Sequence, residues 1–130
     1  MSTIKVTTIQ DTSGGNSSTT EQISQGIAKA WVNFNGEAST AVIRSSFNVS
    51  SITDHAAADY TVNFTNAMSN ADYCVSGAVS DTTLRYRWLA VGSGYFSDFS
   101  KTVNGVRVQS AYVYDNKYQA AHIYVVIHGD

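Results

Sequence analysis

Apolar and polar residues alternate with a period of two along most of the chain from residue 28 onward. In the last run Ile123, Val125 and Ile127 fall on one side, while Tyr124 and Val126 fall on the other. Such alternation is typical of antiparallel strands that bury one face. It predicts about seven strands, spanning residues 28–34, 42–49, 59–65, 73–79, 85–91, 105–114 and 122–128.

Turn-forming segments such as Asn35-Gly36 and Asn104-Gly105 lie between or at the edges of these runs. Short strands at this spacing predict an all-β fold, an antiparallel β-sandwich or a partly open barrel of about seven strands. Within residues 85–91 the alternation places Tyr86 and Trp88 opposite Arg85 and Arg87, so the pattern predicts that the two aromatic residues pack in the core.

Residues 1–26 are small and polar, and we interpret them as an N-terminal neck that precedes a tip domain of residues 27–130. Ser18-Thr-Thr-Glu21 resembles a helix-capping box, and Ile23 and Ile27 lie at helical spacing. An extended stalk is the alternative. In either form we expect the neck to dock on other copies of the chain.

Charged residues make up only 14% of the 130 residues, and the net charge is −2. This balance gives no electrostatic case for binding nucleic acid or an anionic membrane. No apolar run is long enough to cross a bilayer, so membrane insertion is not expected. Because the N-terminus has no apolar signal core, we expect synthesis in a cytoplasm without export by the usual route. The single cysteine, Cys74, is expected to be a small buried residue of a strand.

The sequence contains no constellation that is typical of catalysis, so we expect a protein that is not an enzyme and needs no cofactor or metal. His122 and His128 are separated by about 20 Å of strand and cannot share one metal within a chain. Asp54 and Asp59 flank a short Ala-rich loop and could form a glycosidase pair, but turn capping is the stronger interpretation.

Several phrases in order between residues 26 and 76 resemble a module of phage tail fibres and related virion proteins. They are A-K-A-W-V-N-F-N-G from Ala28, I-R-S-S-F-N-V-S-S-I-T-D from Ile43 and D-Y-T-V-N-F-T from Asp59. Loops 37–41 and 55–58 depart from the Gly-rich form of the module, and the resemblance does not extend to residues from about 80 onward. The resemblance implies a homotrimeric protein of the virion tail, made in the host cytoplasm, whose tip binds a host polysaccharide or outer-membrane protein.

The chain contains no proline, and residues on one face of its first and last strands are too apolar for open solvent. These features predict burial between copies of the chain, and in the trimer that the resemblance implies they indicate the interface. Its residues are Ile23, Ile27, Trp31, Tyr124 and Val126.

If consecutive strands run antiparallel, loops 35–41, 66–72 and 92–104 lie at the end far from the neck, and loops 53–58, 80–84 and 115–121 lie beside it. A fibre presents its far end to the host, so the far loops are expected to bind the receptor. The predicted contact residues are Asn35, Glu37, Asn70, Asp72, Tyr95, Phe96, Asp98, Phe99 and Lys101. Three alternatives stay open: a purely structural virion module, a monomeric carbohydrate-binding module and a depolymerase.

Overall fold

The protein is described by a computed structural model that covers residues 1–81, 87–92, 101–112, 116–117 and 119–129, without the side chains of residues 112, 116 and 117. One short helix, α1, spans Thr20–Gly26. The strands are β1 (Thr8–Ile9), β2 (Ser18–Thr19), β3 (Ala30–Asn35), β4 (Val42–Phe47), β5 (Val49–Ala56), β6 (Asp59–Phe64), β7 (Cys74–Ser80), β8 (Arg87–Val91), β9 (Lys101–Thr102), β10 (Gly105–Tyr112), β11 (Asn116–Lys117) and β12 (His122–His128).

The strands after residue 29 form two antiparallel sheets that pack face to face, which confirms the predicted β-sandwich. The front sheet has the strand order β4-β3-β12-β7. In the back sheet β5, β6 and β10 are neighbours, β8 and β9 pair with β10, and β11 pairs with the end of β10. The alternating residues meet between the sheets. The core includes Phe34, Tyr60, Val62, Val108, Ile123, Val125 and Ile127.

Strand β5 is the longest element that the sequence pattern missed, because residues 53–58 were expected to be a loop; the two-residue strands β1, β2, β9 and β11 were not predicted either. Asn48 has a positive φ of 53°, and there the chain leaves the front sheet and enters the back sheet. The Asn48 side-chain amide donates to the Lys29 and Asn66 carbonyl oxygens at 3.0 and 3.2 Å. Strand β5 then pairs with β6 along Val49–Ala56.

The additional strand changes which loops share an end of the sandwich. We call the end of the sandwich where the chain enters β3 the entry end, and the opposite end the distal end. The entry end holds residues 27–29, 47–49, 64–68, 73–74, 102–105 and 127–129, and the distal end holds residues 36–41, 57–58, 80–81 and 119–122. Backbone hydrogen bonds fix both groups: Met68 donates to Val103 at the entry end, and Gly36 donates to Ala120 at the distal end.

The first 27 residues contribute nothing to this core. Strands β1 and β2 form a small hairpin, and α1 follows directly. The capping box of α1 is formed by Thr19 and Gln22, one residue later than the sequence suggested. None of residues 1–27 is buried, and the first buried side chain of the chain is Ala30. We refer to residues 1–27 as the arm.

Candidate functional site: the outer face of the front sheet

The outer face of the front sheet is lined by aromatic and aliphatic side chains. Strand alternation turns Ala30, Val32 and Phe34 inward, so Trp31 points outward. The register places Trp31 between Phe47 of β4 and Val126 of β12. Three apolar side chains therefore form one row across the sheet.

A second row lies beside the first, where Asn33 pairs with Ser45 on one side and with Tyr124 on the other. The side chains of the two rows are open to solvent to a considerable extent: Phe47 is 54% exposed, and Trp31 and Tyr124 are each 37% exposed. Val42, 53% exposed, extends the apolar surface toward the distal end. We call Val42, Phe47, Trp31, Tyr124 and Val126 the apolar face.

Two polar atoms lie within this face without a hydrogen-bond partner in the described part of the chain. They are Oδ1 of Asn33 and Nδ1 of His122. The His122 ring stacks on the Tyr124 ring, with centroids 6.2 Å apart and planes only 6° apart. Both polar atoms are buried, so the surface that the apolar face presents to solvent consists of aromatic rings and aliphatic side chains.

Along β5 and β6 the outer face of the back sheet has the opposite character, while Trp88 of β8 is exposed elsewhere on that face. Asn63 donates to the hydroxyl oxygens of Ser51 and Thr53 at 3.1 and 2.8 Å, and His55 and Thr61 share a hydrogen bond of 2.8 Å. These polar side chains form hydrogen bonds with one another on a surface that water can also solvate. An antiparallel sheet normally presents such a polar outer face to solvent, so the front sheet is the exception.

The predicted interface residues lie partly on this face. Trp31, Tyr124 and Val126 share it, whereas Ile23 and Ile27 belong to α1 and its C-cap in the arm. Ile23 is half-buried, and Ile27 is 55% exposed. The alternation of β3 and β12 correctly predicted which side of each strand avoids the core.

The predicted receptor-contact residues do not form one surface. Asn35 and Glu37 lie at the distal end, where the Asn35 side chain accepts a hydrogen bond from the Glu37 backbone N–H. Asn70, Asp72 and Lys101 lie toward the entry end instead. Tyr95, Phe96, Asp98 and Phe99 lie outside the described residues.

The expectation that loops 66–72 and 92–104 share an end with loop 35–41 is therefore wrong for their described residues. Strand β5 reverses the chain once more than the sequence pattern foresaw, so each later connection moves to the opposite end. The Lys101 ammonium group donates to the Tyr73 carbonyl oxygen at 2.9 Å and lies over the Tyr73 ring. That ammonium group is thus engaged within the chain at the entry end.

The structure contains two ion pairs whose carboxylates are buried. The first includes Asp59, which the sequence suggested as a turn cap or as part of a glycosidase pair. Asp59 is 1% exposed, and the Arg107 guanidinium group donates to both of its carboxylate oxygens, at 2.8 and 2.9 Å. Gln109 donates to the same carboxylate at 3.0 Å. Asp59 is therefore the acceptor of an internal network, neither a turn cap nor an acid that lines a groove.

The second ion pair joins Arg87 and Asp81, whose side chains are almost completely buried. Arg87 also donates to the Gln119 carbonyl oxygen at 3.0 Å, which ties β8 to the distal end. The predicted faces were wrong at Arg87 and Trp88, because Arg87 points inward while Trp88 is 42% exposed. Arg85 and Tyr86 lie outside the described residues. Cys74 is also exposed, contrary to the expected burial, because it lies on the outward side of β7.

Within the described residues, no group of three His, Cys, Asp or Glu side chains is arranged to hold a metal ion. A search of the same residues for a helix long and apolar enough to traverse a bilayer finds none. No family model matches the chain, and no curated protein or solved structure gives a significant match to it.

Proposed function

We propose that this protein is an adhesion module without catalytic activity, the homotrimeric receptor-binding domain of a phage tail fibre. The observation that carries the proposal is the apolar face, because a sheet that already buries one side against the core exposes Trp31, Phe47 and Tyr124 on the other. A contiguous exposed apolar patch is typical of a surface that binds another protein. Sister copies are the partner that a fibre module always has beside it.

The two ends of the sandwich suggest which way the module faces. The arm joins β3 at the entry end, so a fibre shaft that continues from the arm leaves the distal end free. Receptor contact then belongs to Asn35 and Glu37, with neighbouring residues of 57–58 and 119–121. Host polysaccharide or an outer-membrane protein is the proposed receptor. Three copies per fibre raise a weak affinity by about 10²–10⁴-fold through effective concentration.

Light scattering and cell binding together test this proposal. We expect a solution mass of about three times the 14.0 kDa chain, and binding of labelled protein to the surface of a susceptible bacterium. Glu37→Ala should weaken cell binding without changing the mass. Asp72→Ala, a matched acidic change toward the opposite end, should leave both unchanged.

The outcomes separate the remaining interpretations. A trimer that binds no cell in a broad bacterial panel would favour a purely structural virion module. Loss of binding with Asp72→Ala instead of Glu37→Ala would reverse the proposed orientation. A monomer at every concentration would overturn the homotrimer.

A monomeric carbohydrate-binding module is the second candidate, and the His122–Tyr124 stack favours it. Aromatic rings pack against sugar faces, and the Trp31 and Tyr124 rings are each 37% exposed on the same face of the sheet. This function would require a monomer whose Trp31 fluorescence responds to a soluble glycan. Tyr124→Ala should abolish that response.

A further inference from the structure

Strand β7 forms an open edge of the sandwich. In the described part of the chain the front sheet ends at this strand. Ser76, Gly77 and Ala78 are exposed one after another, although alternate residues of a half-buried strand normally face the core. Because Gly77 has no side chain, the surface that it exposes is backbone. Such an edge presents N–H and C=O groups to any strand that can lie beside it.

Strands β4 and β5 also form sheet edges, but both are protected against pairing with another chain. In β4 a register shift leaves the exposed Arg44 as an extra residue. In β5 two register shifts and the charged residue Asp54 interrupt the edge. Strand β7 differs from both, because its seven residues pair with β12 in unbroken register and include neither charge nor proline. A regular, uncharged edge is a template for pairing with another chain.

The sequence of β7 is almost the same in both directions, and this symmetry selects a second copy of β7 as the partner. C-V-S-G-A-V-S has a valine two positions from Gly77 on each side, and its first and last residues, Cys74 and Ser80, differ in one atom. Two antiparallel copies related by a twofold axis at Gly77 place Val75 opposite Val79 of the second copy. Both valines pack against the core, so the apolar side of one sheet continues into the other.

We propose that two copies of the chain pair antiparallel through β7, which joins their four-stranded front sheets into one continuous sheet. The contact is isologous and closes at two copies, so it is separate from the threefold contact of the proposed trimer. A single pair of short strands belongs to the small, transient class of interfaces. We therefore expect a weak contact that links chains of different trimers at high protein concentration.

A pair of thiols placed across the twofold axis tests the register. In Ser80→Cys the thiol at position 80 faces Cys74 of the second copy, with about 5 Å between the Cβ atoms. Within one chain the two thiols are separated by roughly 20 Å of strand. A short bis-maleimide should therefore join two chains on a denaturing gel, and the reaction should stop there because each chain uses both thiols on the same partner.

Two controls accompany the cross-linking. Ser51→Cys is the matched change at an exposed serine of the protected edge strand β5, and it should give no band at twice the chain mass. The unmodified chain should give none either, because its Cys74 faces Ser80 of the second copy. A dimer band from the unmodified chain, or a ladder that continues to three chains in Ser80→Cys, would overturn the twofold register.

A charge on the edge gives an independent readout in solution. Ala78→Lys places an ammonium group on the exposed side of β7, diagonally across the twofold axis from the same group of the second copy. Like charges across a strand pair destabilise it, so the light-scattering mass at high concentration should be two-fold lower than that of the unmodified chain. Ser51→Lys adds the same charge to β5 and should leave the mass unchanged.

Two other results of the charge experiment would contradict the proposal. Equal masses for Ala78→Lys and Ser51→Lys would show that the β7 edge does not pair. A fall of Ala78→Lys to the mass of one chain would place β7 in the trimer interface instead of a twofold contact.

The failure of this inference differs from the failure of the proposed function. If Ser80→Cys gives no cross-linked dimer while the dilute chain has the mass of a trimer, the pairing of β7 is wrong and the homotrimer stands. If the dilute chain is monomeric while Ser80→Cys still gives the dimer, the homotrimer is wrong and the pairing of β7 stands.

Discussion

Two tyrosine hydroxyl groups close the core at its opposite ends. At the distal end Tyr60 donates to the Gly36 carbonyl oxygen at 2.8 Å. At the entry end Tyr73 donates to the Gly105 and Thr102 carbonyl oxygens at 2.9 and 3.0 Å. Burial raises the pKa of each phenol to about 12, and the negative charge of Asp54 contributes at Tyr60.

These pKa values predict loss of stability at alkaline pH. Each phenol has a higher pKa in the folded chain than its ordinary value of 10.0. The stabilising contribution is therefore complete below pH 10 and is lost as pH rises from 10 toward 12. Of the eight tyrosines, Tyr60 and Tyr73 should give a late phase in the ultraviolet titration of tyrosinate, coincident with unfolding.

Tyr60→Phe and Tyr73→Phe should each shrink that late phase and lower stability at neutral pH by about 1 kcal/mol, since a buried carbonyl oxygen loses its donor. An unchanged late phase in both variants would show that these phenols are not the protected ones.

At this scale, sequence alternation separated the two sides of a strand but did not always tell which side faces the core. The alternation gave the correct side for Trp31 and Tyr124, because the residues before and after each of them in its strand are strongly apolar and point to the core. It failed at Trp88, because the inward position of Arg87 depends on Asp81 and the Gln119 carbonyl oxygen, and neither contact is local in the sequence. The predicted burial of Cys74 was wrong for the same reason, since only the pairing of β7 with β12 shows which way this side chain points.

At the scale of elements, most of the long strands of the sandwich could be predicted, and β5 could not. Two register shifts, near Val49–Ser51 and Asp54–Ala56, interrupt the alternation of β5, and its outward residues are small and polar. Such bulges protect the free edge of a sheet from pairing with other chains. The bulges that protect the edge of β5 therefore also removed the alternation by which the strand could have been predicted. Without β5, the later loops were assigned to the wrong ends of the sandwich.

Strand β7 approaches its neighbours closely at Gly77. A Cβ atom there would overlap the Tyr124 carbonyl oxygen and a methyl group of Leu89. We expect Gly77→Ala to destabilise the fold by about 1–3 kcal/mol, since a backbone carbonyl cannot move aside as a flexible side chain can. Urea unfolding should show a lower midpoint with an unchanged slope.

Gly26→Ala is the control for that substitution. No atom lies within 4 Å of a Cβ at this last residue of α1, so the change should be neutral or slightly stabilising. Equal unfolding midpoints for the two variants would contradict the close approach at β7.

At the scale of the whole molecule, the two tryptophans form a matched pair. Trp31 is 37% and Trp88 is 42% exposed, and they lie on the outer faces of opposite sheets. Trp31→Ser should dissociate the proposed trimer, since buried aromatic residues usually dominate interfaces. Trp88→Ser should leave the light-scattering mass unchanged. Association that survives Trp31→Ser, or that fails equally in both variants, would place the interface elsewhere.

The central position of β3 and β12 in the front sheet also has a mechanical consequence. Pulling the sandwich between its two ends directs the force along the strands, while the backbone hydrogen bonds of antiparallel pairs run across them. When one attachment is the arm before β3 and the other is residues 119–121 before β12, the force pulls the two paired strands in opposite directions. The bonds between β3 and β12 then resist together, in shear, instead of opening one after another. A tether at the arm and a grip at residues 119–121 would load the molecule in its strongest direction.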